Sequence, residues 1–290
     1  MPTADSRRFK LGLIGYPLSH SFSPQIHTAA LESCGLDGNY SLFPIHAQDQ
    51  LGLKDLVSRV RSTEIHGLNV TIPHKQNVIP FLDELTPTAK AIGAVNTIYL
   101  RDNTLIGDNT DAPGFLADLK KFLATETRRH GESRVLILGA GGSARAVVYA
   151  LSNDGWKITL VARRPEQTEQ LALSFQPHEI QITNYQLSNL DLSNLDLIVN
   201  TTPLGMTPDI QASPWPENLP FPKDAALYDL VYNPPETKLF KDARAQGLRA
   251  KTGLGMLIEQ AALAFELWTG HIPSQEILRA SLEQSLITNS

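Results

Sequence analysis

The feature that most constrains this chain is a short apolar strand that runs directly into a glycine cluster. Arg134 to Leu138 has the length and composition of a buried strand, and Gly139, Ala140, Gly141, Gly142, Ser143 and Ala144 follow it before an apolar helical run. A glycine at Gly139 permits the tight turn, the missing side chain at Gly141 lets backbone approach a pyrophosphate, and Ala144 is small enough for close helix–strand packing. The first amides of that helix favour an anion in the loop. Because the glycines lie between a strand and a helix, an ordinary flexible loop is the poorer explanation. The segment predicts a dinucleotide-binding α/β unit, with Gly139, Ala140, Gly141, Gly142 and Ser143 around the pyrophosphate.

The rest of the chain repeats short apolar runs and amphipathic stretches, the pattern of strand–helix units. A first half is expected to hold strands at Phe9 to Ile14, Tyr40 to Pro44, Gly67 to Ile72, Ala94 to Leu100 and Thr104 to Gly107. A second half is expected to hold them at Arg134 to Leu138, Lys157 to Val161, Leu195 to Val199 and Leu227 to Val231. A helix from about Pro113 to Leu123 and a polar stretch from Thr125 to Ser133 connect the halves. Pro203 to Pro222 and Asn233 to Pro235 read as loops at strand ends, and Met256 to Trp268 as a helix packing near the first half. At 290 residues the chain has room for two cores.

Composition removes several function classes. With 42% hydrophobic and 19% charged residues and no low-complexity tract, the chain is a folded one. A net charge of -5 with dispersed basic residues argues against nucleic acid or an anionic membrane as partner, and for a small molecule. The single cysteine, Cys34, can form neither an internal disulfide nor a thiolate metal site, which fits a reducing cytoplasm. The eight histidines show no ligand spacing, so no metal is expected. Arg7, Arg8 and Lys10 before the apolar stretch Leu11 to Leu18 loosely imitate a secretion signal, but Gly12, Gly15 and Pro17 break it, and a first buried strand is the better reading. Nothing approaches the ~20 apolar residues of a membrane helix.

The end of the second strand after the glycine loop selects between cofactors. NAD sites place an Asp or Glu there to accept from the ribose 2′-hydroxyl. This chain has Val161, Ala162, Arg163 and Arg164, and a guanidinium pair suits a 2′-phosphate instead. NADP is therefore the expected cofactor, with Arg163 and Arg164 at its adenosine phosphate.

Four segments of the first half concentrate polar groups where turns or core are expected. Gly15 to Pro24 is a hydroxyl-rich loop carrying Ser21 and Ser23; Ser23 before Pro24 also reads as a helix N-cap. In Asn69 to Lys75, strand periodicity places Asn69 and Thr71 on a polar face and Leu68, Val70 and Ile72 on a dry one, with Lys75 just past Pro73. Asn96 sits in Gly93 to Thr97, and Gly107 to Asp111 is too polar at Thr110 and Asp111 for a simple hairpin turn.

Together with Gly139 to Arg145 and Gly253 to Gln260, these segments resemble, in order, the motifs of the shikimate dehydrogenase family, over nearly the whole chain. The resemblance implies an α/β substrate-binding and catalytic domain over 1–112, a Rossmann-type NADP-binding domain over 113–250, and C-terminal helices over 251–290 that return to the first domain. It implies reversible reduction of 3-dehydroshikimate to shikimate, a step toward chorismate and the aromatic amino acids. Ser21, Ser23, Asn69, Thr71, Asn96, Asp111, Tyr232 and Gln260 would bind substrate, Lys75 and Asp111 would be the catalytic pair, and Leu230 and Gly253 would lie near the nicotinamide. The family's Asn-Arg-Thr pattern is here Ala162, Arg163 and Arg164.

Hydride delivery to a ketone builds charge on its oxygen and calls for a positioned proton donor, which a protonated Lys75 supplies. Hydroxyl and amide side chains suit a polyhydroxylated acid better than an apolar pocket does. Gln260 and Tyr232 also read as satisfied core residues. The alternatives are a quinate/shikimate dehydrogenase using NAD, a non-catalytic NADP-binding regulator, from which loss of Lys75 or Asp111 is expected, and a folate-linked dehydrogenase, which Ser21, Ser23 and Gln260 do not suit. A homodimer is compatible with the sequence.

Overall fold

Alternation of apolar strands with amphipathic helices gives this chain two separate cores. The computed structural model describes residues 8–124, 132–175, 180–183, 187 and 190–288. The expected polar connector therefore lies, over 125–131, outside the described residues. Contacts divide the chain into two units, one made of the segment through Thr110 plus that from Ile258, the other of Asp111–Leu257.

The first unit opens with β1 (Phe9–Gly15), α1 (Ser23–Ser33), β2 (Gly38–Pro44), α2 (Gln50–Arg61), β3 (Gly67–Val70), β4 (Glu84–Leu85), α3 (Pro87–Ile92), β5 (Thr97–Arg101) and β6 (Thr104–Asp108). Its six strands lie in the order β2-β1-β3-β5-β6-β4, with β1 parallel to both neighbours and β5 antiparallel to both of its own. Leu53, Leu56, Val57 and Val60 recur at helical spacing on α2 and pack with Leu68, Val70 and Ile98 of the sheet. Asp49 caps α2 by accepting from the Gly52 amide, and Thr86 caps α3 by accepting from Ala89.

The second unit holds α4 (Asp111–Leu123), β7 (Arg134–Leu138), α5 (Gly142–Asn153), β8 (Lys157–Val161), α6 (Pro165–Ser174), β9 (Ile180–Thr183), β10 (Leu197–Asn200), β11 (Ala226–Asp229), α7 (Lys238–Ala245) and β12 (Arg249–Thr252). All six strands are parallel, in the order β12-β11-β10-β7-β8-β9. That order reverses between β7 and β10, and a doubly wound sheet binds its ligand at the carboxyl ends of the strands at such a switch. The chain ends with α8 (Leu254–Thr269) and α9 (Gln275–Thr288). Trp268 of α8 donates from Nε1 to the Ile98 carbonyl at 3.1 Å, and its ring occupies the space a Cβ at Gly67 would need.

Several expectations are corrected. β3 stops at Val70, because the Thr71 carbonyl accepts from His74 in a tight turn through Pro73, so Ile72 is 53% exposed rather than on the dry face. Residues 94–96 form no strand; the Val95 amide donates to the Lys75 carbonyl and the Ala94 carbonyl accepts from Asn109 Nδ2. β10 starts at Leu197 and includes Asn200, and β11 ends at Asp229. β4, β9 and β12 were not anticipated: the first is two residues long, and the others carry few apolar side chains.

Candidate functional site

In the first unit, the ends of β3, β5 and β6 bring the expected polar residues together around Asn96. This buried side chain donates from Nδ2 to Thr110 Oγ1 at 2.9 Å and to Gln260 Oε1 at 3.4 Å. Its Oδ1 accepts from the Thr110 amide at 2.8 Å and from Thr97 Oγ1 at 2.9 Å. The Asn96 carbonyl accepts from the Val70 amide and from Asn69 Nδ2, while the neighbouring Val95 amide donates to Lys75. Backbone bonds thus fix Lys75 beside this cluster, and Lys75 is itself buried. Thr71 is half-buried on the same turn, its amide bonded to the Ile14 carbonyl.

Asn69 is held from a second side. Tyr40 donates its hydroxyl to Asn69 Oδ1 at 2.8 Å, which fixes the amide so that Nδ2 faces Asn96 and Thr97. The Tyr40 ring stacks on His27 with centroids 4.5 Å apart. Burial holds His27 down at about pKa 3, against the pull of the neighbouring Asn69 side chain, so its ring is neutral and neither nitrogen reaches hydrogen-bonding geometry. Tyr40 was not singled out from the sequence, since a tyrosine in a half-buried strand carries no distinguishing signal; Thr110 stood out only as a polar residue too many for its turn.

On the β1–α1 loop, Ser21 and Ser23 contact each other. Ser21 Oγ donates to Ser23 Oγ at 3.2 Å and accepts from the Ser23 amide at 3.2 Å. Ser23 is the first residue of α1 and Phe22 stands at the cap with no side-chain bond, so the N-cap reading of Ser23 is wrong and Ser21 covers its amide instead. His74 is buried, with Nε2 on the Ile45 carbonyl at 2.7 Å.

In the second unit the glycine loop has the shape its sequence requires. Gly139 has φ of +113°, and a Cβ there would lie 2.5 Å from Thr201 Oγ1 at the end of β10. A Cβ at Gly141 would meet nothing within 4 Å, so the backbone before α5 is open to a ligand, with Gly142 and Ser143 in the first turn. Ala144 is fully buried against the sheet. Arg163 and Arg164 are exposed immediately past β8, and Arg164 stands at the N-cap of α6. These residues fit a dinucleotide phosphate on the α5 N-terminus and an adenosine phosphate at the β8 end.

The carboxyl ends of β10 and β11 are tied by a buried network that sequence reading missed. Asp229 accepts from Asn200 Nδ2 at 2.8 Å, from the Val231 amide at 3.1 Å and from Thr237 Oγ1 at 2.6 Å. Leu230 follows, its amide bonded to the Asn200 carbonyl, and Gly253 approaches it so closely that a Cβ there would overlap the Leu230 oxygen. Burial pushes the Tyr232 phenol up to about 12, so it is a neutral donor. Asp111 is buried as the first residue of α4, next in the chain to Thr110. Among the described residues no cluster of His, Cys, Asp and Glu is arranged to hold a metal, and no helix is long and apolar enough to cross a membrane.

Comparison with known proteins gives a consistent picture. Residues 13–98 match the shikimate dehydrogenase substrate binding domain, residues 122–208 the shikimate / quinate 5-dehydrogenase family, and residues 253–283 the shikimate 5'-dehydrogenase C-terminal domain. A shikimate dehydrogenase (NADP(+)) of Bacillus licheniformis is 42% identical over 286 residues, covering 95% of this chain and 96% of that protein. One of Salinibacter ruber is 41% identical over 268 residues, covering 89% and 90%. The crystal structure of shikimate 5-dehydrogenase from Thermus thermophilus in complex with NADP(H) and shikimate superposes with a TM-score of 0.83 at 36% identity, over 96% of this chain and 100% of that one.

Proposed function

Because the chain belongs to the shikimate dehydrogenase family, we propose that it catalyses the reversible NADPH-linked reduction of 3-dehydroshikimate to shikimate. The observation that carries this reading is the buried amide and hydroxyl cluster around Asn96, with Lys75 fixed at its edge by the Val95 amide. Amide and hydroxyl groups held in place by one another present directional donors and acceptors, which discriminate a polyhydroxylated ring far better than an apolar pocket does. Ser21, Ser23, Asn69, Thr71, Asn96, Tyr232 and Gln260 bind the substrate in this reading, and the two serines take its carboxylate.

Bound NADPH supplies the hydride. Lys75 donates a proton to the ketone oxygen as charge builds there, and Asp111 is its partner. In the reverse direction the same pair removes the proton from the hydroxyl. Gly139 to Ser143 hold the pyrophosphate, Arg163 and Arg164 the adenosine phosphate, and Leu230 and Gly253 border the nicotinamide. The reaction belongs to a reducing cytoplasm, in keeping with a single free cysteine, Cys34.

Cofactor preference tests the phosphate assignment. With 3-dehydroshikimate, kcat/KM is expected to be higher with NADPH than with NADH, and Arg163→Ala is expected to raise the KM for NADPH about tenfold, the value of one hydrogen bond to a charged group. Equal or better efficiency with NADH in the parent protein would contradict the assignment.

A further inference from the structure

α4 starts at Asp111, and Phe115, Asp118 and Phe122 follow at spacings that put all of them on one helix face. Asp118 follows Asp111 by seven positions, two turns that leave the side chains only ~20° apart around the axis. This face packs on β11 and β12. Phe115 and Phe122 meet the Tyr228 ring edge-on, with centroids 5.1 and 6.3 Å away, and Arg249 lies over Phe122 while donating to its carbonyl.

Asp118 is buried in the middle of that contact. Its Oδ2 accepts the Tyr228 hydroxyl at 2.6 Å, and its Oδ1 pairs with Lys251 Nζ at 2.8 Å. The carboxylate also occupies the space a side chain at Gly255 would fill, since a Cβ there would overlap Oδ1. Gly255 is in the first turn of α8, two residues past Gly253. One carboxylate thus joins the helix that carries Asp111, two strands of the sheet, and the turn that carries Gly253.

With Lys251 partly exposed and Asp118 buried, this ion pair is a weak source of stability, because apolar packing of the same volume serves as well. Its geometry is directional, and that is what a reacting carboxylate on the same helix face needs. We propose that Asp118 is a positioning residue for the hydride-transfer reaction: its hold on Tyr228, Lys251 and the Gly255 backbone sets the rotation and depth of α4, and so keeps Asp111 in register with the turn at Gly253. The proposal rests on the reading of Asp111 as the catalytic partner of Lys75. A displacement of about 1 Å far from the chemistry is enough to cost about 10²-fold in rate.

The test is a double-mutant cycle of Asp118→Asn and Asp111→Asn in the full chain, reading kcat, the KM for shikimate and NADP+, and thermal stability. Asp118→Asn is expected to lower kcat about 10- to 100-fold with both KM values near those of the parent. In the Asp111→Asn background the same change is expected to lower kcat by less than about threefold, because the group it positions is already gone. Equal losses in both backgrounds would assign Asp118 to the fold alone and overturn the proposal, as would an unchanged kcat in the single variant. A slow Asp111→Asn beside a normal Asp118→Asn overturns only the positioning role. An Asp111→Asn enzyme with parental turnover removes Asp111 from the mechanism, and the proposal falls with it. Should Asp118→Asn not fold, Tyr228→Phe, which removes only the hydroxyl donor, takes its place in the cycle with the same outcomes.

Discussion

Lys75→Ala is expected to lower turnover by about 10²- to 10⁴-fold, the range for loss of a positioned proton donor, while NADPH binds as in the parent. The Lys75 carbonyl accepts from the Val95 amide at 2.7 Å, a backbone contact that helps to place the residue. Alanine keeps that bond, so the turn and Asn96 beside it stay in place. Lys75→Met keeps the buried stem as well and removes only the ammonium, so it should lose as much turnover as alanine. Initial rates and NADPH fluorescence titration check both. Near-parental turnover in either variant would take Lys75 out of the mechanism.

A large effect of a different kind is expected at Asp229. Burial pushes this carboxyl up to about 6, and the bonds from Thr237, Val231 and Asn200 pull it back only in part. The folded chain therefore binds this proton more tightly than the unfolded chain does. The stabilisation is fully present below the model-peptide value of 3.8 and is lost as pH rises through about 6. At about 1.4 kcal/mol per pH unit the loss is about 3 kcal/mol. Asp229→Asn removes it: the amide oxygen still accepts from Asn200 and Val231, and the Thr237 hydroxyl can turn to accept from the new amide. Urea unfolding from pH 3 to 7 should show a stability decline in the parent that is shallower in Asp229→Asn by this amount. Parallel pH profiles would contradict the burial argument.

How legible this was depended on the kind of signal. The loop at Gly139 could be read because backbone geometry admits only glycine there, and the structure gives the reason in the φ of +113° and the contact with Thr201. The long apolar strands β1, β7 and β8 were equally readable. β12, whose Arg-Ala-Lys-Thr sequence has no apolar run, was not, because it lies at a sheet edge and its Lys251 is satisfied by Asp118 from α4. Asn200 and Asp229 escaped for a related reason. The strand expected to end at Val199 continues one residue into Asn200, while Asp229 lay inside a strand expected to run on to Val231, and neither local pattern records that the two side chains bond each other across 29 positions of sequence. In the candidate site, Asn69, Asn96 and Gln260 could be picked from their motifs, whereas the Tyr40 hydroxyl that orients Asn69 comes from a strand whose pairing no local pattern records.

Initial rates with shikimate and with quinate, each crossed with NADP+ and NAD+, test the proposed NADP-linked activity most directly. The highest kcat/KM is expected for shikimate with NADP+. A higher value for quinate with NAD+, or no rate with shikimate and either cofactor, would contradict it.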